Sequence, residues 1–184
     1  FLKVGDFILT GEPEEATYRL AKGEIEPSGI IVSKLISDLD SLPFPEWHNR
    51  NLDQYNYYPL LKNKPLISVQ GSRGCSYDCT YCPYMVTQTP DWRKRSPKNI
   101  VDEIEFLINE FGIKSIVFRD PLFTHDMKRI KNLCTEITER KLNFEWTCET
   151  RVDRLDEPLL DMMYDAGLRG VEFGVEAFDL KLLS

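Results

Sequence analysis

The chain has 184 residues, 42% of them apolar and 29% charged, with a formal net charge of −7. That length supports one ordinary domain with a real core, and the composition is that of a soluble globular protein. No run approaches the roughly 18 apolar residues that cross a bilayer, no basic-then-apolar leader opens the chain, and the acidic balance disfavours a general nucleic-acid binder; the expected location is the cytoplasm.

Residues 1–22 read as a strand from Asp6 to Leu9, a turn at Gly11 to Pro13, and a short helix from Glu14 to Lys22. Residues 23–64 show no regular period and carry Pro27, Pro43, Pro45 and Pro59, so they read as a linker lying on a surface. From residue 65 the pattern becomes strand–helix alternation. Leu66 to Val69 is a short apolar strand that runs into Gly71, Gly74 and a cluster of cysteines. Ser96 caps a helix with Pro97 in its first position; Ile100, Ile104, Leu107, Ile108 and Phe111 recur at helical spacing, and Gly112 ends it.

Ser115 to Phe118 is the next strand, and Thr124 can cap a helix whose apolar face is Met127, Ile130, Cys134 and Ile137. Phe144 to Cys148 is a third strand of this series. Asp156 caps a helix stopped by Gly167, Val171 to Val175 is a fourth strand, and Leu180 opens a further helix. The order βαβαβαβ implies parallel crossovers. Four strands leave an open curved sheet whose last edge is unpaired and prone to self-association. Two readings fit: part of a (β/α) barrel, or a small open α/β sheet. Polar residues after the strands favour the barrel, because its active sites sit at the carboxyl ends: Asp120, then Glu149 and Arg151, then Glu176.

Five cysteines is an odd number, and Cys75, Cys79 and Cys82 fall in the spacing CxxxCxxC. Clustered thiols without distant partners read as metal ligands in a reducing compartment. Thiolates suit zinc or an iron–sulfur cluster. Zinc in a structural site wants a fourth ligand, for which His48 and His125 are the candidates. Three thiolates on a cubane leave one iron open, which is what catalysis needs. Gly71 and Gly74 let the backbone turn tightly around a bulky group. Cys134 and Cys148 stand in apolar patterns and read as buried structural thiols. A basic triplet, Arg93, Lys94 and Arg95, reads as a solvated loop or a local anion patch.

These features resemble the radical S-adenosylmethionine (radical SAM) superfamily, whose signature CxxxCxxC lies on the loop after the first barrel strand. Ser72-Arg-Gly-Cys, Trp92-Arg-Lys-Arg-Ser-Pro97, Phe118-Arg-Asp-Pro-Leu-Phe-Thr124, Trp146-Thr-Cys-Glu-Thr-Arg-Val-Asp153 and Phe173-Gly-Val-Glu176 stand in order as they do in members with an N-terminal cobalamin-binding domain. Asp6-Phe-Ile-Leu-Thr-Gly-Glu-Pro-Glu14 resembles the end of that domain, and Asp38-Leu-Asp-Ser-Leu-Pro-Phe-Pro45 the linker after it.

The resemblance implies an α/β fold: the tail of a cobalamin domain over 1–22, a linker over 23–64, and the first part of a TIM-like barrel, about four βα units, over 65–184. It implies a [4Fe–4S] cluster on Cys75, Cys79 and Cys82, with S-adenosylmethionine chelated at the open iron. Tyr81 would meet the adenine, Asp120 the methionine amino group, and Arg151 and Glu176 the methionine carboxylate and ribose. Asp120 lies in Arg-Asp-Pro where the family often has GGE. The implied activity is reductive cleavage to a 5′-deoxyadenosyl radical, then cobalamin-dependent methyl transfer or rearrangement of a small molecule, with flavodoxin or ferredoxin as electron donor. The remaining barrel strands and the DxHxxG cobalamin motif are not in this sequence, so the resemblance implies a piece of a larger enzyme, itself inactive. A tRNA methylthiotransferase also carries CxxxCxxC, but it adds three further cluster cysteines and an RNA-binding module. An iron–sulfur electron-transfer module would need a fourth cysteine near the motif.

Overall fold

The computed structural model describes residues 5–54, 58–84 and 89–179. The helix expected from Leu180 lies outside them. The chain divides into two compact units, Phe1–Ser37 and Asp38–Ser184. Among the described residues no helix is long and apolar enough to cross a membrane.

In the first unit β1 (Phe7–Thr10) and β2 (Gly29–Val32) pair in parallel, joined through α1 (Glu14–Ala21). Ile8 stands beside Ile30 and Leu9 beside Ile31. Glu12 Oε2 accepts the Ile36 N–H at 2.6 Å, which ties the segment after β2 to the turn after β1. β2 falls within the stretch that reads as linker. Ile30, Ile31 and Val32 are too few to show a period, and only the parallel partner makes them a strand.

The second unit is built on a four-stranded sheet of β3 (Leu66–Val69), β6 (Ser115–Phe118), β7 (Glu145–Glu149) and β8 (Leu168–Glu172), all parallel and in chain order. A two-residue antiparallel ribbon, β4 (Ser72–Arg73) with β5 (Arg93–Lys94), opens and closes the cysteine loop. The crossovers are α2 (Pro97–Phe111), α3 (Met127–Glu139) and α4 (Glu157–Asp165). α2 begins where the sequence indicates, with Ser96 Oγ accepting the Asn99 N–H at 3.1 Å; Asp156 does the same for α4 through Leu159 N at 2.8 Å. Each such cap contributes about 1 kcal/mol.

Side-chain alternation sorts the sheet into two faces. Ile67, Val69, Ile116, Phe118, Trp146, Cys148 and Leu168 enter one core with the buried stripes of the helices. At its centre Trp146 meets Phe118 edge-on at 5.5 Å and donates Nε1–H to the Ala166 carbonyl at 2.8 Å. On the opposite face Leu66 and Val117 pack with Leu61 and Tyr58. β3 and β8 are the outer strands of this sheet among the described residues.

β1 starts and ends one residue later than Asp6 to Leu9, α1 stops at Ala21 before Lys22, and three boundaries of the second unit differ from the sequence reading. β7 runs one residue later than Phe144 to Cys148. β8 occupies Leu168–Glu172 rather than Val171 to Val175. Trp146 N–H bonds the Gly167 carbonyl at 3.0 Å, so pairing starts directly at the turn, and a register shift after Trp146 leaves Phe173 and Val175 exposed beyond the strand. α3 is capped by Asp126, whose Oδ1 accepts Arg129 N–H at 3.0 Å. Thr124 instead lies buried in the preceding 3-10 turn, its hydroxyl 2.5 Å from that of Thr150.

Candidate functional site

Groups that do chemistry on a parallel sheet gather beyond the carboxyl ends of its strands. After β3 the chain turns at Gly71, and that turn is gripped on both sides of the peptide. Asp120, buried just after β6, accepts Gly71 N–H at 2.9 Å and the Ser72 hydroxyl. Arg129, 3% exposed on α3, donates Nη2–H to the Gly71 carbonyl at 2.6 Å and Nε–H to the Arg95 carbonyl at 3.0 Å. A Cβ on residue 71 would lie 2.6 Å from Arg129 Nη2 and 3.2 Å from Asp120 Oδ1, so any other residue would displace the guanidinium that grips the turn. Burial pushes the Asp120 carboxyl above its usual range, and the Arg129 charge with the Ser72 and Gly71 hydrogen bonds opposes this. Both Asp120 oxygens are engaged inside the fold, so here the residue holds the turn.

The cysteine loop follows. Cys75, Cys79 and Cys82 are thiols, each half-buried. Cys75 N–H bonds the Thr89 carbonyl at 3.1 Å, and Cys82 N–H bonds the Cys79 carbonyl at 3.0 Å. Gly74 takes φ of 82°, where a Cβ would collide with the Asp91 carbonyl. Tyr77, inside the motif, receives Arg154 Nε–H on its hydroxyl at 3.0 Å. The Arg151 guanidinium lies over the Tyr77 ring at 4.5 Å and pairs with Asp153 through two bonds of 2.9 Å. That pairing raises the Arg151 pKa, and desolvation opposes it.

Tyr81 and Glu176 come together although 95 positions separate them in sequence, as the numbering itself shows. Local desolvation first, then the hydrogen bond to Glu176 and its charge, raise the phenol's pKa, even though the residue is 66% exposed. Glu176 adopts φ of 60°, a left-handed conformation costly for a side-chain-bearing residue, with its carboxylate folded over Gly174. On the face of the sheet away from the helices, Arg119 pairs with Glu149 at 2.8 Å, and Glu149 stands beside Glu172 in register. Tyr84 faces this group: desolvation, then the Glu149 charge, raises its pKa, and Arg119 opposes.

The sequence-predicted residues therefore divide. Tyr81, Glu176 and Arg151 lie about the cysteine loop, and Asp120 underpins the turn that leads to it. Tyr77, Tyr84, Arg119, Arg129, Arg154 and Glu172 are additions. Only the aromatic within the motif, Tyr77, carried a local signal. The basic triplet is spent within the fold: Lys94 pairs with Asp126, Arg95 is half-buried against Glu103 at 2.6 Å, and Arg93 Nε–H bonds the Asp91 carbonyl at 3.3 Å.

Among the described residues no three His, Cys, Asp or Glu side chains stand together as a metal ligand set. His48 is exposed beside Glu46 at 3.1 Å, and His125 packs on Trp92 with ring centroids 4.4 Å apart. Neither histidine joins the three thiols. Cys75, Cys79 and Cys82 are not gathered into a ligand set, but their donor chemistry, three soft thiols on one half-buried loop, suits an iron–sulfur cluster.

Residues 69–183 match the sequence profile of the radical SAM superfamily. An uncharacterized methyltransferase of Pyrococcus horikoshii is 30% identical over 81% of this chain and 32% of its own length. The anaerobic magnesium-protoporphyrin IX monomethyl ester cyclase of Rubrivivax gelatinosus is 34% identical over 77% of this chain and 25% of its own. Among solved structures, the radical S-adenosylmethionine methyltransferase TsrM from Kitasatospora setae, with tryptophan and the SAM analogue aza-SAM bound, superposes with a TM-score of 0.60 at 28% identity, covering 65% of this chain and 23% of that one. The chain spans a third or less of the length of these relatives.

Proposed function

The chain belongs to the radical SAM superfamily, and we propose that it carries a [4Fe–4S] cluster on Cys75, Cys79 and Cys82, binds S-adenosylmethionine beside it, and serves a cobalamin-dependent methyltransferase or cyclase. The observation that carries this reading is the CxxxCxxC loop leaving the first strand of the parallel sheet, with Tyr81, Arg151 and Glu176 beside it. When bound, the cluster and S-adenosylmethionine supply a 5′-deoxyadenosyl radical that abstracts hydrogen from a small-molecule substrate, and cobalamin supplies a methyl carrier.

The chain's own residues have separable tasks. Cys75, Cys79 and Cys82 are the thiolate ligands. The main chain at Tyr81 meets the adenine. Arg151 takes the methionine carboxylate, exchanging part of its pairing with Asp153, and Glu176 takes the ribose. Asp120 and Arg129 hold the Gly71 turn from which the loop departs, in place of a direct contact between Asp120 and the methionine amino group. A flavodoxin- or ferredoxin-class donor supplies the electron. Cobalamin rests on the resemblance of residues 1–45 and on the TsrM structure described with cobalamin and a [4Fe–4S] cluster bound.

The test is anaerobic reconstitution of the full-length protein with iron and sulfide, then S-adenosylmethionine and dithionite. The expected product is 5′-deoxyadenosine, and Cys79→Ala should lose both iron and product. A wild-type protein that binds zinc in place of iron, or a Cys79→Ala protein that keeps its cluster, would sink the assignment.

A further inference from the structure

Tyr77 lies between the first two cysteines of the motif, and its contact reaches 77 positions along the chain to Arg154. The phenol oxygen accepts from Arg154 Nε at 3.0 Å and also from Arg154 Nη2, so one guanidinium edge forks onto one acceptor. The ring is covered by Arg151 at 4.5 Å, with Arg154 Cζ at 5.7 Å from the same centroid. Arg154 is half-buried. Asp153 offsets the charge of Arg151 through its two-point pair, so two guanidiniums against one carboxylate leave this turn with a net positive charge.

A forked, planar contact fixes orientation better than a single bond from a flexible ammonium. A cation held half out of water also acts more strongly on a neighbouring charge than one swinging in solvent. A cluster on three thiolates gains one negative charge when it takes one electron, and nearby charge and hydrogen bonding set the potential at which it does so.

We propose that the Tyr77–Arg154 fork is a positioning device that fixes a cation beside the cysteine loop and thereby favours the one-electron-reduced form of its cluster. The inference rests on the cluster reading given above. Tyr77 and Arg154 touch neither substrate nor reacting atoms in this role; they act through the loop they hold.

The experiment is a redox titration of the full-length, anaerobically reconstituted protein. Dithionite is the one-electron donor, the reduced cluster is followed by electron paramagnetic resonance, and iron and sulfide are counted per chain. Arg154→Gln should lower the midpoint, so that at a potential half-reducing the wild type the variant is reduced several-fold less. Tyr77→Phe, which keeps the ring under Arg151 and loses only the acceptor, should shift the same way by less. Arg154→Lys, which keeps the charge but loses the fork, should recover only part of the wild-type midpoint. Arg154→Gln and Tyr77→Phe titrating as wild type with full iron would overturn the proposal. If Arg154→Gln takes up no iron, Tyr77→Phe decides alone: a lowered midpoint supports the fork, an unchanged one refutes it. A wild-type protein that binds no iron refutes the cluster reading itself, before any variant is compared.

Discussion

Replacing Asp120 by Ala should be among the most damaging changes in the second unit, and the structure sets its size. Asp120 has no solvent exposure and accepts Gly71 N–H at 2.9 Å and the Ser72 hydroxyl. Its counter-charge, Arg129, is 3% exposed, and Arg129 Nη1 has no hydrogen-bond partner among the described residues. The attraction between the two charges acts across the Gly71 turn that both of them grip and has little net worth of its own, because desolvation opposes it. Removing the carboxylate is different, since a guanidinium then stays buried without its counter-charge, at about 3–5 kcal/mol. Two donors lose their acceptor as well, a cost that overlaps with the first. Taking about 4 kcal/mol and a urea slope of roughly 2 kcal/mol/M, the midpoint should fall by about 2 M. Equilibrium unfolding followed by tryptophan fluorescence reads this, because Trp146 is buried in the same unit. Arg129→Met alone should also destabilise, and the double variant by clearly less than the sum, since no unpaired charge remains. A single variant within about 1 kcal/mol of wild type, or strict additivity, would refute the reasoning.

Two further outcomes follow from the same structure. Cys134 and Cys148 are 2% and 1% exposed, and burial pushes the Cys134 thiol up to about 12 and raises that of Cys148; since the thiolate is the reactive form, an alkylating reagent on native apoprotein should modify Cys75, Cys79 and Cys82 well before these two, mapped by peptide mass spectrometry. Early labelling at Cys134 would contradict the packing. Desolvation raises the pKa of Asp126, but the hydrogen bonds from Lys94 and Arg129 N–H outweigh it and leave it below the ordinary carboxylate range. Its stabilisation is therefore present above that range and disappears as pH falls through the lowered pKa. Asp126→Asn keeps a capping oxygen, so it should cost at most about 1 kcal/mol near neutral pH and flatten the acid limb of the stability profile; an unchanged acid limb would show the carboxylate to be unimportant.

The fold was legible where its causes are local. Ser96-Pro97 and Asp156 carry their capping chemistry in the residues themselves, and α2 and α4 start where they indicate. It was illegible where pairing decides. Ile30, Ile31 and Val32 become β2 only because β1 lies alongside. Phe173-Gly-Val175 looks more strand-like than Leu168-Arg-Gly170, yet β8 takes the latter because its neighbour's Trp146 bonds at Gly167. Thr124 and Asp126 are both fair helix caps by residue type. A buried partner, Thr150, claims the first and leaves the second to α3.

The site follows the same rule. The cysteine spacing is visible in the chain and names the candidate ligands, but the shape of the loop is set from three distant places. Asp120 and Arg129 hold its entry at Gly71, the Thr89 and Asp91 carbonyls of the returning chain crowd the turn at Gly74 just before Cys75, and Arg154 holds its middle through Tyr77. Asp120 shows how strand-end logic can mislead: its position suggests a ligand contact, while its burial shows that it anchors the backbone. A polar residue after a strand is thus ambiguous until its oxygens are accounted for, and side chains remote in sequence from Cys75, Cys79 and Cys82 control how those three thiols are presented.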